Sequence, residues 1–134
     1  MALLTPDEML AEIERQASEV GNPTHWAYAN RLCAANVTLL LRIRNPPSAG
    51  IARGAGYKRV VAYTNGNEVI SLDEMRAKLR EHSKAAGSQS KLADALGWDQ
   101  PAMSAFIHGR LDYVSTRFLD FIGYKRILRY EKIS

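Results

Sequence analysis

The chain is poor in the residues that metal centres, disulfide frameworks and membrane spans require. It has one cysteine, Cys33, so no internal disulfide can form, and with only His25, His82 and His108 beside it no spacing reads as a zinc site. No metal and no other cofactor is expected, and Cys33 reads as structural or incidental. No apolar run approaches the ~20 residues that span a bilayer, and the first residues lack the basic-then-apolar layout of a signal peptide. These absences lead us to expect a cytoplasmic protein without membrane contact. The carboxylates are spread over amphipathic segments, with no acid pair, nucleophile-plus-base set or phosphate loop. The lone Gly54-Ala55-Gly56 reads better as the end of a short helix. Catalysis is therefore the least expected class of function.

What remains is a chain of 134 residues, 46% hydrophobic, enough to close one ordinary core or two very small ones. Eighteen basic against fourteen acidic residues give +4, a mild excess compatible with a polyanionic partner. Divided after Gly66, the first part holds seven basic and five acidic residues and the second eleven and nine, so each carries +2.

That division follows an internal repeat. Thr5-Pro-Asp-Glu-Met-Leu-Ala11 matches Ser71-Leu-Asp-Glu-Met-Arg-Ala77 at an offset of sixty-six, and Gly21, Ala27 and Ala29 fall on Gly87, Ala93 and Ala95. Gly56-Tyr-Lys-Arg59 then matches Gly123-Tyr-Lys-Arg126 at sixty-seven. Shared helical composition does not produce a block such as Gly-Tyr-Lys-Arg twice, so we read residues 1–66 and 67–134 as copies of one unit.

Each copy opens on a capping box: Thr5 with Glu8, and Ser71 with Glu74, satisfy the first free backbone N–H groups of a helix. The helices are predicted to run to about Val20 and Ala86, with Met9, Leu10, Ile13 and Ala17, then Met75, Leu79 and Ser83, on the buried stripe, and Gly21 and Gly87 as stops. Each copy closes on period-two alternation: Tyr57–Tyr63 and Tyr124–Tyr130 read as strands. Asn65-Gly66 reads as a hairpin turn into Glu68-Val69-Ile70. The predicted class is mainly α: two tandem helix-turn-helix units, each followed by a short helix and a β-strand, in a pseudo-two-fold arrangement.

Between first helix and strand of the second copy, the pattern gives a short helix over Gln89–Leu96, a turn at Gly97 and a helix from about Gln100 to His108 stopped by Gly109. Leu92, Ala93, Met103, Phe106 and Ile107 fall where the two must pack. This stretch resembles the helix-turn-helix of lambda-type phage repressors and Cro proteins through Gln89, Leu92, Ala93, Leu96, Gly97, Gln100, Ser104 and Gly109; Trp98 and Pro101 depart from the usual pattern. The resemblance covers about residues 73 to 122.

It implies a regulator whose second helix enters the major groove of double-stranded DNA, with Asp99, Gln100, Pro101, Ser104 and Ala105 at base edges. Gln100 suits a bidentate pair with adenine. Gln89, Ser90, Lys91, His108 and Arg110 would hold phosphates, with Ser88 as a cap. In the first copy Cys33, Ala34, Ala35 and Leu39 take the places of Asp99, Gln100, Pro101 and Ala105, while Arg31 and Ile43 replace the two glycines. Thr24, His25, Thr38, Arg42, Arg44 and Arg53 would remain for phosphates there. That copy is expected either to make a weaker DNA contact, which the arginines favour, or to be a pairing surface. The family binds as two-fold dimers, so a tandem chain could supply both halves, its strands 57–63 and 124–130 available for pairing or self-association. The competing expectation is a protein-interaction module, an inhibitor of a host complex or an antitoxin, that keeps the fold without binding DNA.

Overall fold

The computed structural model describes residues 3–134. Both capping boxes form: Thr5 Oγ1 accepts from the Glu8 N–H at 3.1 Å while the Thr5 N–H donates to Glu8 Oε1 at 2.9 Å, and Ser71 and Glu74 repeat the exchange at 3.2 Å each way. The helices they start, α1 (Pro6–Val20) and α5 (Leu72–Ala86), each end at a glycine, Gly21 and Gly87, in the φ-positive region that closes a helix cheaply only without a side chain. Every residue read as the buried stripe of these two helices is buried, Ser83 included.

After α1 come α2 (Pro23–Ala29), α3 (Ala34–Ile43), α4 (Ala49–Gly54) and β1 (Tyr57–Thr64). A short β2 (Val69–Ile70) precedes α5, which is followed by α6 (Gln89–Leu96), α7 (Gln100–Ile107), α8 (Thr116–Ile122) and β3 (Lys125–Lys132). The described residues are thus mainly helical, with a small antiparallel sheet in the order β2-β1-β3. Tyr63 pairs with Ile70 and Thr64 with Val69, which leaves four residues, 65–68, in the turn. The turn is held by Asn65 Oδ1, which accepts from the N–H groups of Asn67 and Glu68, and by Gly66 at a φ of 96°. None of the helices of the described residues is long and apolar enough to cross a membrane.

The chain packs as two units, each with its own core. One comprises the described residues up to Val60 together with Leu128–Ser134; the other is Val61–Ile127. In the first, Met9, Leu10 and Ile13 of α1 pack with Trp26 and Ala27 of α2, Val37 and Leu40 of α3 and Ile51 and Ala52 of α4. The core of that unit also holds Tyr130, fully buried, whose hydroxyl donates to the Pro47 carbonyl at 2.5 Å. In the second unit Met75 and Leu79 of α5, Leu92 and Ala93 of α6, Met103, Phe106 and Ile107 of α7 and Phe118 and Leu119 of α8 surround Tyr63, again fully buried. By position in the repeat Tyr63 belongs to the first copy and Tyr130 to the second. The long strands therefore carry each copy's second strand tyrosine into the other copy's helices.

Candidate nucleic-acid interface

α6 and α7 owe their ends to local chemistry. Ser88 caps α6, its Oγ accepting from the Lys91 N–H at 3.1 Å. Gly97, at φ 65°, reverses the chain, so that the Trp98 N–H reaches the Ala93 carbonyl at 2.9 Å. Two residues later Asp99 caps α7 by accepting from the Ala102 N–H at 3.3 Å, and its negative charge suits the positive end of the helix dipole. Gln100 and Pro101 form the exposed first turn. Ser104 and Ala105 lie half-buried one turn on, while Met103, Phe106 and Ile107 face the core.

The far end of α7 is tied to α5 by two arginines. Arg76, 9% exposed, donates through Nε to the Phe106 carbonyl at 2.8 Å and through one terminal nitrogen to the Leu111 carbonyl at 3.1 Å and Asp112 at 2.9 Å. Its other terminal nitrogen reaches Asp73 at 3.0 Å, and the guanidinium lies over the Phe106 ring. Arg80 donates to the Ile107 carbonyl at 2.7 Å. From α8, Arg117 donates to the Leu96 carbonyl at 3.3 Å, closing the end of α6. The last carbonyls of α6 and α7, those of Leu96 and Ile107, are thus satisfied by cations, a favourable pairing with the negative end of the dipole.

The groups expected at phosphates in this unit divide between two helix ends. Gln89 is half-buried while Ser90 and Lys91 are exposed on the first turn of α6; His108 and Arg110 are exposed past the end of α7. Gln89 and His108 line one open cleft with Arg80 and Lys84.

The other unit places its candidates less favourably. Thr24 is half-buried and His25 exposed on the first turn of α2, which Asn22 caps through the His25 N–H at 2.9 Å. The Thr38 hydroxyl is bound back to the Ala34 and Ala35 carbonyls, at 2.9 and 3.1 Å, and so has no proton left to donate. Arg44 is ion-paired with Glu14 at 2.9 Å. Arg42 and Arg53 are exposed. At the start of α3 Cys33 makes no side-chain cap bond, and Ala35 and Leu39 stand outward where the other unit has Pro101 and Ala105.

One feature of this unit escapes a count by halves. From Val20 to Asn67 the chain has no acidic residue, while it carries Arg31, Arg42, Arg44, Arg53, Lys58 and Arg59. The acids of the first copy, Asp7, Glu8, Glu12, Glu14 and Glu19, are all on α1. A sliding charge count would have found this; splitting the chain at Gly66 averages it away. No family model, curated protein or solved structure matches the chain.

Proposed function

We propose that the chain is a sequence-specific double-stranded DNA-binding regulator, in the manner of phage or prophage repressors, that acts by occupying its operator. In this reading α6, the Gly97 turn and α7 are a helix-turn-helix, α2 and α3 a second one, and the two give a single-chain pseudo-dimer suited to an imperfect palindrome. The observation that carries the reading is the presentation of α7. One face is buried, both ends are fixed by named hydrogen bonds, and Gln100 and Pro101 are left exposed at the capped N-terminus, the end that a reading helix turns toward base edges. The basic run after Val20 supports a polyanion as the partner of the first copy.

Selection of bound duplexes from random DNA by the full chain tests the proposal. A two-part motif is expected, with affinity falling steeply with salt as phosphates are neutralised. Gln100→Ala should cost about 1–3 kcal/mol on the selected duplex and relax one position of it. Absence of enrichment overturns the reading. The exposed apolar residues of α3 favour one alternative, a protein-interaction module, and for that Gln100→Ala and Arg110→Ala would leave activity intact.

A further inference from the structure

The outward surface of α3 is chemically unlike that of α7. Val37 and Leu40 fix its buried side; on the opposite side Ala35, Leu39 and Ile43 follow one another at four-residue steps, and Leu39 and Ile43 are 44% and 49% exposed. The one hydroxyl beside them, on Thr38, is spent on the carbonyls of its own helix. Ala35, Thr38, Leu39 and Arg42 line a shallow groove. Arg42 is exposed beside this apolar strip, no acidic residue occurs in the sequence between Val20 and Asn67, and Glu14 of α1, which reaches the end of the helix, is paired there with Arg44. A strip whose own side chains are apolar, with Arg42 beside it and the exposed Asn36 amide on its flank, fits a ligand that shows methyl groups between anions. The major groove of thymine-bearing DNA is such a ligand, because thymine presents a C5-methyl group there and phosphates flank the groove on both sides.

We propose that α3 reads thymine C5-methyl groups through Ala35 and Leu39, with Arg42 on a neighbouring phosphate, so that the two halves of the operator are recognised by different chemistry: methyl contact at α3 and amide hydrogen bonding at Gln100. This rests on the DNA-binding reading given above. α3 then carries sequence information of its own, and the half it reads is defined by thymines that uracil cannot replace.

The test uses the full chain and the duplex it enriches from random DNA, with thymine replaced by uracil in one half and then in the other. Uracil has the same hydrogen-bonding groups and lacks only the methyl. In one half, substitution should weaken binding about fourfold for each methyl contacted, the burial value of one such group. Leu39→Ala, at an exposed position, should bind the thymine duplex about fourfold more weakly and lose the distinction from uracil at its position. Gln100→Ala should leave the uracil effect unchanged. If no duplex is enriched, the DNA-binding reading fails and this inference with it. If a duplex is enriched but uracil changes nothing, or Leu39→Ala weakens thymine and uracil duplexes equally, the methyl reading alone is overturned.

Discussion

The third helix of each unit, α3 in one and α7 in the other, is built on the same plan but held to different standards. α7 is capped by Asp99, entered from a glycine turn and tied at its far end by Arg76 and Arg80. At the same steps of the first copy stand Cys33, Arg31, Leu10 and Glu14. Cys33 makes no cap bond, Arg31 takes the left-handed turn at φ 58°, Leu10 packs into the core, and Glu14 holds Arg44 instead of a helix end. The difference teaches that a helix can have a well-packed buried side without the groups that orient it. Under the proposed function, the unit that has those groups is the one that reads with directional hydrogen bonds, which tolerate little misplacement.

The largest effect should come from making the second unit resemble the first at Arg76. Arg76→Leu installs the residue found at that step of α1. It removes the Arg76 donor from the Phe106 carbonyl, which keeps the Gly109 N–H at 3.1 Å, and from the carbonyl of the exposed Leu111, and with them the contact of the guanidinium with the Phe106 ring. A destabilisation of about 1–2 kcal/mol is expected for the unit containing Trp98, followed by its fluorescence in urea. The reverse change, Leu10→Arg, would bury a charge without partners. Loss of less than about 1 kcal/mol in Arg76→Leu would mean that α7 is not tied down by this arginine.

A smaller contrast lies in the paired tyrosines. The Tyr130 hydroxyl has the Pro47 carbonyl, whereas the Tyr63 hydroxyl is buried with no partner. Sixty-seven residues after Pro47, the carbonyl that would serve Tyr63 is that of Val114, and it already accepts from Arg126. Burial correspondingly pushes the Tyr63 phenol up from its ordinary range. Tyr130→Phe should cost about 1 kcal/mol, and Tyr63→Phe nothing or a slight gain, because an unsatisfied group is removed. Equal losses in urea midpoints would show that the two hydroxyls are equally served.

Much of the second unit was legible because its signals are local. Ser88 and Gly97, read as cap and turn, delimit α6 at Gln89 and Leu96, and α7 starts at Gln100 as read from the sequence, though Asp99, read as a base contact, is its cap. Three things were not legible. Period two in a strand tells which residues share a face but not which helices that face will meet, so the destinations of Tyr63 and Tyr130 were hidden. Arg76 follows Met75 on the buried side of α5, where a charged residue is ordinarily assigned to solvent; only the carbonyls of a distant helix end explain it. Arg31 occupies a left-handed turn that glycine usually marks, so the boundary between α2 and α3 lacked its punctuation.

That turn gives the next prediction. An L-residue in the left-handed region costs roughly 1–2 kcal/mol, and glycine removes the cost while adding freedom to the unfolded chain. Arg31→Gly should stabilise the first unit by roughly 0.5–1 kcal/mol, read from the urea midpoint of the Trp26 signal. Gly97→Ala should do the opposite in the second, where a Cβ would also meet the Arg117 guanidinium. A destabilising Arg31→Gly would mean that the arginine side chain contributes more than its backbone costs.

The smallest effect separates the units by pH. Arg15, hydrogen-bonded to Glu12 at 2.9 and 2.7 Å, holds the Glu12 carboxyl down to about 2, and Gln16 adds a bond at 2.8 Å. Gln16 also donates to the Ala55 carbonyl and accepts from the Trp26 indole N–H, so the carboxylate is joined to the core through one amide. A carboxyl whose folded pKa lies below its usual 4.5 stabilises the fold above that value, and the contribution is lost as pH falls toward 2. The Trp26 signal should therefore show a stability limb between pH 4.5 and 2 that Glu12→Gln flattens. The second unit has Lys78 at this step, and its Trp98 signal should lack that limb. Because Arg15 is more than half exposed, added salt should shrink the effect by screening. If the limb survives Glu12→Gln unchanged, the acid sensitivity of the first unit belongs to other carboxylates of α1, such as Glu8, whose bonds to Thr5 lower its carboxyl in the same direction.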